Sequence, residues 1–318
     1  MRLPTFTYDQ PTSVTDAIGS LAATPGARPI AGGTDLLVNM KHRVETPPAL
    51  VSLSRVEGLS GVTEEDGTTV IGALTTLKQI QNDPELQRKF PALTQAASAV
   101  GSYRHQTMGT LAGNLCQNTR CRFFNQSWEW RQARSLCYKA GGQRCHVMNK
   151  DEVCYSTYSG DVAPALLVLD ASVRIQGPGG AREIPLADLH SGDGRQPLAL
   201  NEGEVVTAVT IPAASANGRS HYEKSALRGS IDFPIVGGAV WRGDNEIRVA
   251  FTAVDRRPVR ATAVEETLAG KELTEETIAA AAPLAAKAGR IAKTTVHGVP
   301  YKRDLMSALF TRGARALL

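Results

Sequence analysis

Aromatic side chains are scarce in this sequence, with seven Phe, seven Tyr and three Trp among 318 residues, 5% of the total. No apolar run is long enough to cross a bilayer. The best, VAPALLVLDASV, is interrupted by Asp170, so no membrane-spanning helix is expected. Repeats and low-complexity tracts are also missing, which excludes a solenoid and a disordered chain. The formal net charge is only +4, with basic residues scattered outside 120–150, so nucleic acid is not an expected partner. The opening MRLPTFTYDQPTS lacks a charged stretch followed by an apolar one, so a cytoplasmic location is expected. In a reducing compartment five cysteines, an odd number, make a poor disulfide framework. There is no Walker pattern, no His-Glu-x-x-His and no hydrolytic triad, so group transfer by a side-chain nucleophile is not expected.

What is present is unevenly placed. All five cysteines, at 116, 121, 137, 145 and 154, fall in one stretch, and seven aromatics crowd between Phe123 and Tyr158. Four cysteines in such a segment point to a metal or cluster. The gaps of fifteen, seven and eight residues from Cys121 to Cys154 match neither a zinc knuckle nor a ferredoxin run, so iron and zinc both stay open. Phe123, Phe124, Trp128, Trp130, Tyr138, Tyr155 and Tyr158 can wall such a site. Arg120, Arg122, Arg131, Arg134, Lys139 and Arg144 can offset its charge or meet an acidic carrier.

Two glycine-bearing turns form the other signal. ARPIAGGTDLL predicts a strand ending at Ile30, a turn at Gly32 and Gly33, and a helix or extended segment from Asp35, with Thr34 or Asp35 as cap. TMGTLAGNL supplies the second turn, with Gly109 and Gly113 beside Asn114. Bare backbone at such turns lets a phosphate approach, and the pair can hold the two ends of one dinucleotide. Around them the sequence reads as α+β. A helix is predicted from Ser13, helical stretches over 76–90 and 91–100, and strands in 49–74, 172–176 and 202–212. AASANGRS reads as a linker, with a boundary near Asn217; alanine-rich helices follow, and LMSALFTRGARALL closes the chain as an amphipathic helix.

AGGTDLL, TMGTLAGNLC, SGDVAPALLVLDA, YEKSALRGSIDFPIVGGAV and EETLAGKELTEETI together make the chain resemble the FAD-carrying medium subunits of the xanthine dehydrogenase, or molybdenum hydroxylase, family. The resemblance implies a two-part FAD-binding domain of the PCMH, vanillyl-alcohol-oxidase-like kind over 1–216, split near 56. A smaller α/β domain with a three-stranded sheet and helices would fill 217–318. Most members pass directly from the GNLC-type motif to the aspartate matched by Asp161. The extra 117–158 resembles the insert of the β subunit of 4-hydroxybenzoyl-CoA reductase, which implies a 4Fe-4S cluster on Cys121, Cys137, Cys145 and Cys154. Near the C-terminus TTVHGVPYKRD departs from the family pattern, which weakens inference about the last helix.

By the same resemblance Ile30, Ala31, Gly32, Gly33, Thr34, Asp35 and Leu36 form one wall of the FAD site. Gly101, Thr110, Leu111, Gly113 and Asn114 form the other. Asp161 is implied to accept from sugar or ribityl hydroxyls, Val206 to make a backbone contact, and Lys224 to lie near the flavin, where the alternative is an exposed strand lysine paired with Glu223 or Asp232. Cys116 is expected to be a buried thiol near the flavin, or else a substitute cluster ligand. The implied activity is electron transfer from ferredoxin through the cluster and FAD to 2Fe-2S clusters and a molybdenum cofactor on partner subunits, in a dimer of heterotrimers, for reductive dehydroxylation of 4-hydroxybenzoyl-CoA. A carbon monoxide, aldehyde or xanthine dehydrogenase-type oxidising subunit is the alternative, and a flavin-free subunit with a zinc lobe a second.

Overall fold

The computed structural model describes residues 2–148, 152–292 and 297–318. Lys150 and the Thr294–Val296 part of the divergent C-terminal run lie outside the described residues. Three sheets organise the chain. The first is parallel, with β1 (Thr7–Asp9), β2 (Arg28–Ile30) and β3 (Ala49–Ser52) in the order β1-β3-β2. Its crossover helix Val14–Ala23 starts at Ser13, whose Oγ accepts from the Asp16 amide at 3.1 Å and satisfies an otherwise unpaired N–H. Ala17, Ile18 and Leu21 recur at helical spacing and form the buried stripe.

The second sheet is antiparallel, with β4 (Val62–Glu65), β5 (Thr68–Gly72), β6 (Ser172–Gly177), β7 (Gly180–Pro185) and β8 (Val205–Ile211) in the order β4-β5-β8-β6-β7. The expected helical stretch 76–90 is two helices, Leu77–Asn82 and Pro84–Lys89. Pro84 has no N–H to continue the first, and the Asp83 carboxylate caps the second by accepting from the Glu85 and Leu86 amides, each at 2.9 Å.

The third sheet holds β9 (Arg219–Ser225), β10 (Val236–Arg242), β11 (Ile247–Thr252) and β12 (Val259–Arg260) in the order β12-β11-β10-β9. It therefore has four strands where three were expected, the fourth being a two-residue edge strand. One helix joins the layers. All seven residues of Val162–Val168 are buried, and they pack against β10, β11 and the helix Pro91–Ser98. The stretch read as a linker is a short 3-10 turn, Ala213–Asn217, whose Ser215 is buried and donates from Oγ to Leu169 O at 2.7 Å. Trp241 Nε1 donates to Ser215 O at 2.9 Å, so the junction is packed.

The cysteine-bearing segment leaves and rejoins this frame at one place. Arg120 and Thr157 exchange both backbone hydrogen bonds, at 2.7 and 2.8 Å.

Candidate functional site

A cleft of about 980 Å³ opens between the first sheet, the second sheet and the loop before β10. Of the residues expected at a flavin site, Ile30, Ala31, Gly32, Gly33, Thr34, Asp35, Leu36, Gly101, Thr110, Gly113, Asn114, Asp161 and Val206 line it. Leu111 does not. It points into the core beside Leu115 and is fully buried. Lys224 stands behind the lining, with its ammonium 3.2 Å from the Asp161 carboxylate.

The two glycine turns meet. A Cβ on Gly32 would lie 1.8 Å from Met108 O, so this glycine is required by the neighbouring turn. Gly33 has φ +69°, a left-handed conformation that side chains resist, and a Cβ there would meet the Leu37 side chain at 3.0 Å. Its glycine requirement is thus conformational before any ligand approaches. Thr110 Oγ1 accepts from the Gly113 amide at 3.1 Å and starts the short helix Leu111–Leu115. Asp35 was expected to cap the helix Leu36–Lys41, but its side chain makes no cap hydrogen bond. It forms an ion pair with Arg120 and accepts from the Asn118 amide at 3.3 Å, tying the first turn to the root of the cysteine segment.

Burial raises the Asp161 carboxyl to about 6, against the pull of Lys224 and a hydrogen bond from Tyr222 Oη at 2.7 Å. Lys224 is neither exposed nor paired with the Glu223 or Asp232 carboxylates; besides Asp161 its Nζ donates to Ala99 O and Asp232 O. Cys116 lines the cleft and is half-buried where a buried thiol was expected; burial of its sulfur pushes the thiol up to about 12, which favours the protonated form. Arg28, Glu45, His105, Ile231 and Phe233 also line the cleft and were not singled out from the sequence. Ile231 and Phe233 come from the distant loop before β10, and only the resemblance of that loop to the family pointed there. The cleft is walled on two sides by glycine-bearing turns and, at about 980 Å³, is large enough for a dinucleotide.

A second, much smaller cavity lies inside the cysteine segment. Cys121, Cys137, Cys145 and Cys154 all line it, together with Phe123, Phe124, Tyr138, Val147 and others. All four thiols are buried and none is in a disulfide. Burial pushes the Cys121 thiol up to about 11 and raises Cys154 as well. Among the described residues no three metal-binding side chains close on a single point. The four thiols therefore share a space without forming a mononuclear site. Four thiols are a donor set that suits either an iron–sulfur cluster or a zinc ion, and the space between them, about 10 Å³, is that of a single water molecule.

The aromatic wall is only partly as expected. Tyr155 packs behind Cys145, whereas Trp128 and Trp130 face outward, 53% and 38% exposed, and Tyr158 belongs to the main core against His190. Of the basic residues, Arg131 is structural, donating to the carbonyls of Arg43, Phe124 and Gln126. The loop after β7 holds Cys154 from behind. Asp193 Oδ1 accepts from the Cys154 amide at 3.1 Å, and a Cβ on Gly194 would lie 2.8 Å from Cys154 Sγ and 1.8 Å from Ser156 Oγ.

A cleft between two such turns, followed by a four-stranded sheet under helices, defines a flavoprotein of the molybdenum hydroxylase type. The family model for the FAD binding domain in molybdopterin dehydrogenase matches residues 4–214, and that for the CO dehydrogenase flavoprotein C-terminal domain matches 220–317. The chain belongs to this family. It is 34% identical over 323 residues to the aldehyde oxidoreductase FAD-binding subunit PaoB of Escherichia coli (strain K12), covering 98% of this chain and 99% of that one. It is 28% identical to the nicotinate dehydrogenase FAD-subunit of Eubacterium barkeri, over 96% and 94% of the two chains. Among solved structures, carbon monoxide dehydrogenase from Hydrogenophaga pseudoflava, in a form lacking the Mo-pyranopterin moiety of the molybdenum cofactor, superposes with a TM-score of 0.81 at 26% identity, covering 100% of this chain and 98% of that one.

Proposed function

We propose that this chain is the FAD-carrying electron-relay subunit of a cytoplasmic molybdenum-dependent complex and that its cysteine segment holds a 4Fe-4S cluster on Cys121, Cys137, Cys145 and Cys154. The observation that carries the cluster reading is the convergence of four buried thiols, widely separated in sequence, on one aromatic-walled cavity. The same four thiols would also serve a zinc ion, and iron and zinc analysis of the purified chain separates the two. When bound, FAD accepts electrons in ones or twos and a cluster exchanges them singly, which suits a relay.

In this reading the residues of the chain hold and shield the centres. The turns at 31–35 and 109–114 hold the pyrophosphate, and the buried Asp161–Lys224 pair sets the charge at the inner end of the cleft. Phe123, Phe124 and Tyr138 keep water from the thiolates. Partners are a molybdenum-bearing large subunit and a 2Fe-2S small subunit, in a dimer of heterotrimers.

For the complex as a whole, the insert favours 4-hydroxybenzoyl-CoA reductase, with ferredoxin as donor and benzoyl-CoA as product. A second reading, oxidation of aldehydes with electrons leaving through this subunit, is favoured by the 34% identity to an aldehyde oxidoreductase subunit. Benzoyl-CoA formation from 4-hydroxybenzoyl-CoA by the purified complex with reduced ferredoxin, compared with its aldehyde oxidation, separates the two. The subunit reading is tested by Cys137→Ser: about four irons per chain are lost, the content of one such cluster, while FAD remains. Unchanged iron would overturn the ligand assignment.

A further inference from the structure

Two side chains, Phe124 and Lys139, line both the flavin cleft and the cysteine cavity and so make up the wall between them. Lys139 lies on the short turn Tyr138–Ala140 that follows Cys137. Its Nζ donates to Asn118 Oδ1 at 2.6 Å, Thr119 Oγ1 at 2.6 Å, Thr119 O at 3.0 Å and Ser156 Oγ at 3.4 Å, and it sits 5.2 Å from the centre of the Phe124 ring. Asn118 faces the cleft. Ser156 faces the cavity, with its Oγ 3.4 Å from Cys154 Sγ. Hydrogen bonds centred on one ammonium group therefore span the wall from one space to the other.

Among the described residues no carboxylate forms an ion pair with this amine; Glu45 stops at Asn118 Nδ2, 2.8 Å away. A cation enclosed by neutral dipoles is costly, and an uncharged side chain of similar length would fill the place at lower cost. Its field, in contrast, is strong on both sides because little solvent screens it. With the cysteines as thiolates the same charge offsets their negative charge and also favours an added electron: net charge and hydrogen bonds near the sulfurs are what set the potential of a cluster.

We propose that Lys139 is a potential-tuning residue shared by the two spaces, whose ammonium group makes an added electron more favourable on either side of the wall. The inference rests on reading the four cysteines as cluster ligands and the cleft as the flavin site. It assigns Lys139 a positioning and electrostatic role with no bond made or broken.

The test uses the full chain with its iron and flavin and the variants Lys139→Gln, Lys139→Met and Lys139→Arg. Dithionite supplies the electrons in a redox titration; visible absorption reads the flavin and electron paramagnetic resonance reads the iron–sulfur centre. Iron and FAD contents stay at the unsubstituted level in K139Q. The one-electron reduction constant of the iron–sulfur centre falls at least tenfold in K139Q and K139M, a shift of about 59 mV to lower potential. The flavin moves in the same direction, and K139R restores both. Unchanged midpoints in the two neutral variants, or an equal shift in K139R, would overturn the proposal. If the neutral variants lose iron, the flavin midpoint decides in the same way. Absence of iron from the unsubstituted protein would instead sink the cluster reading, and the flavin midpoint in K139Q would still judge the charge.

Discussion

His190 sits under the second glycine turn, buried, with Nε2 bonded to Leu115 O at 3.1 Å and its ring edge-on to Tyr158. Burial pulls its imidazole down to about 4 from an ordinary 6.5. The unfolded chain therefore takes up a proton at 190 that the folded chain refuses, so its contribution to stability is complete above pH 6.5 and is lost as pH falls towards 4. Asp161 runs the other way. With its carboxyl raised from 3.8 to about 6, the folded state holds the extra proton and gains stability as pH falls through that window. The two largely offset each other. In His190→Phe the offset is gone, so the stability advantage of the unsubstituted chain over the variant should shrink by roughly 3 kcal/mol between pH 6.5 and 4, at about 1.4 kcal/mol per pKa unit. Urea titrations of the flavin-free protein at several pH values measure this, and parallel pH curves for the two proteins would contradict it.

Among the elements, the loop 191–196 has a clear consequence for the thiolate cavity. Gly194 packs its bare backbone against Cys154 and Ser156, and its amide donates to Cys154 O at 3.0 Å. Gly194→Ala should displace Cys154 and lower iron content at least severalfold, a larger loss than in FAD, although Arg195 and Gln196 of the same loop line the flavin cleft; retained iron would show that the loop yields without moving the thiol. This support could not be read from the sequence, because SGDGRQ has the composition of any surface turn and lies 40 residues beyond Cys154 (194 against 154). The turns themselves were legible. Gly32, Gly33 and Gly113 announced sharp backbone, and Ser13 announced a helix start. What stayed hidden was partnership: that Asp35 would leave its helix to pair with Arg120, and that Gly32 answers to Met108. Local patterns specify an element, whereas contacts across about 80 residues depend on how elements pack, which periodicity does not encode.

At the level of the whole molecule the two family matches end and begin within a few residues of each other, yet the main core runs through the junction. Tyr222, Ala239, Trp241 and Ala250 of the third sheet belong to the same apolar cluster as Leu166 and Val209. Trp241 is buried, stacks on the Arg248 guanidinium at 4.1 Å and fills the space that a side chain on Gly218 would need. Trp241→Ala should cost about 3–5 kcal/mol, as other large aromatic truncations in cores do. Because the cluster is shared, both halves should lose stability together, with far-ultraviolet circular dichroism and flavin release giving one urea midpoint. Two separated midpoints would show the halves to be independent. The α+β class was readable from the sequence, but the shared core was not, since AASANGRS looks like a spacer until Ser215 is seen buried beneath Trp241.

The reciprocal amide pairing of Arg120 with Thr157 has a further consequence. Everything between those two residues leaves from and returns to one seam, so a short reverse turn could splice them and leave the strands and helices on either side in place. A lobe mounted this way is an appendage, one that the frame carrying it can hold or lack without a change in its own chain path.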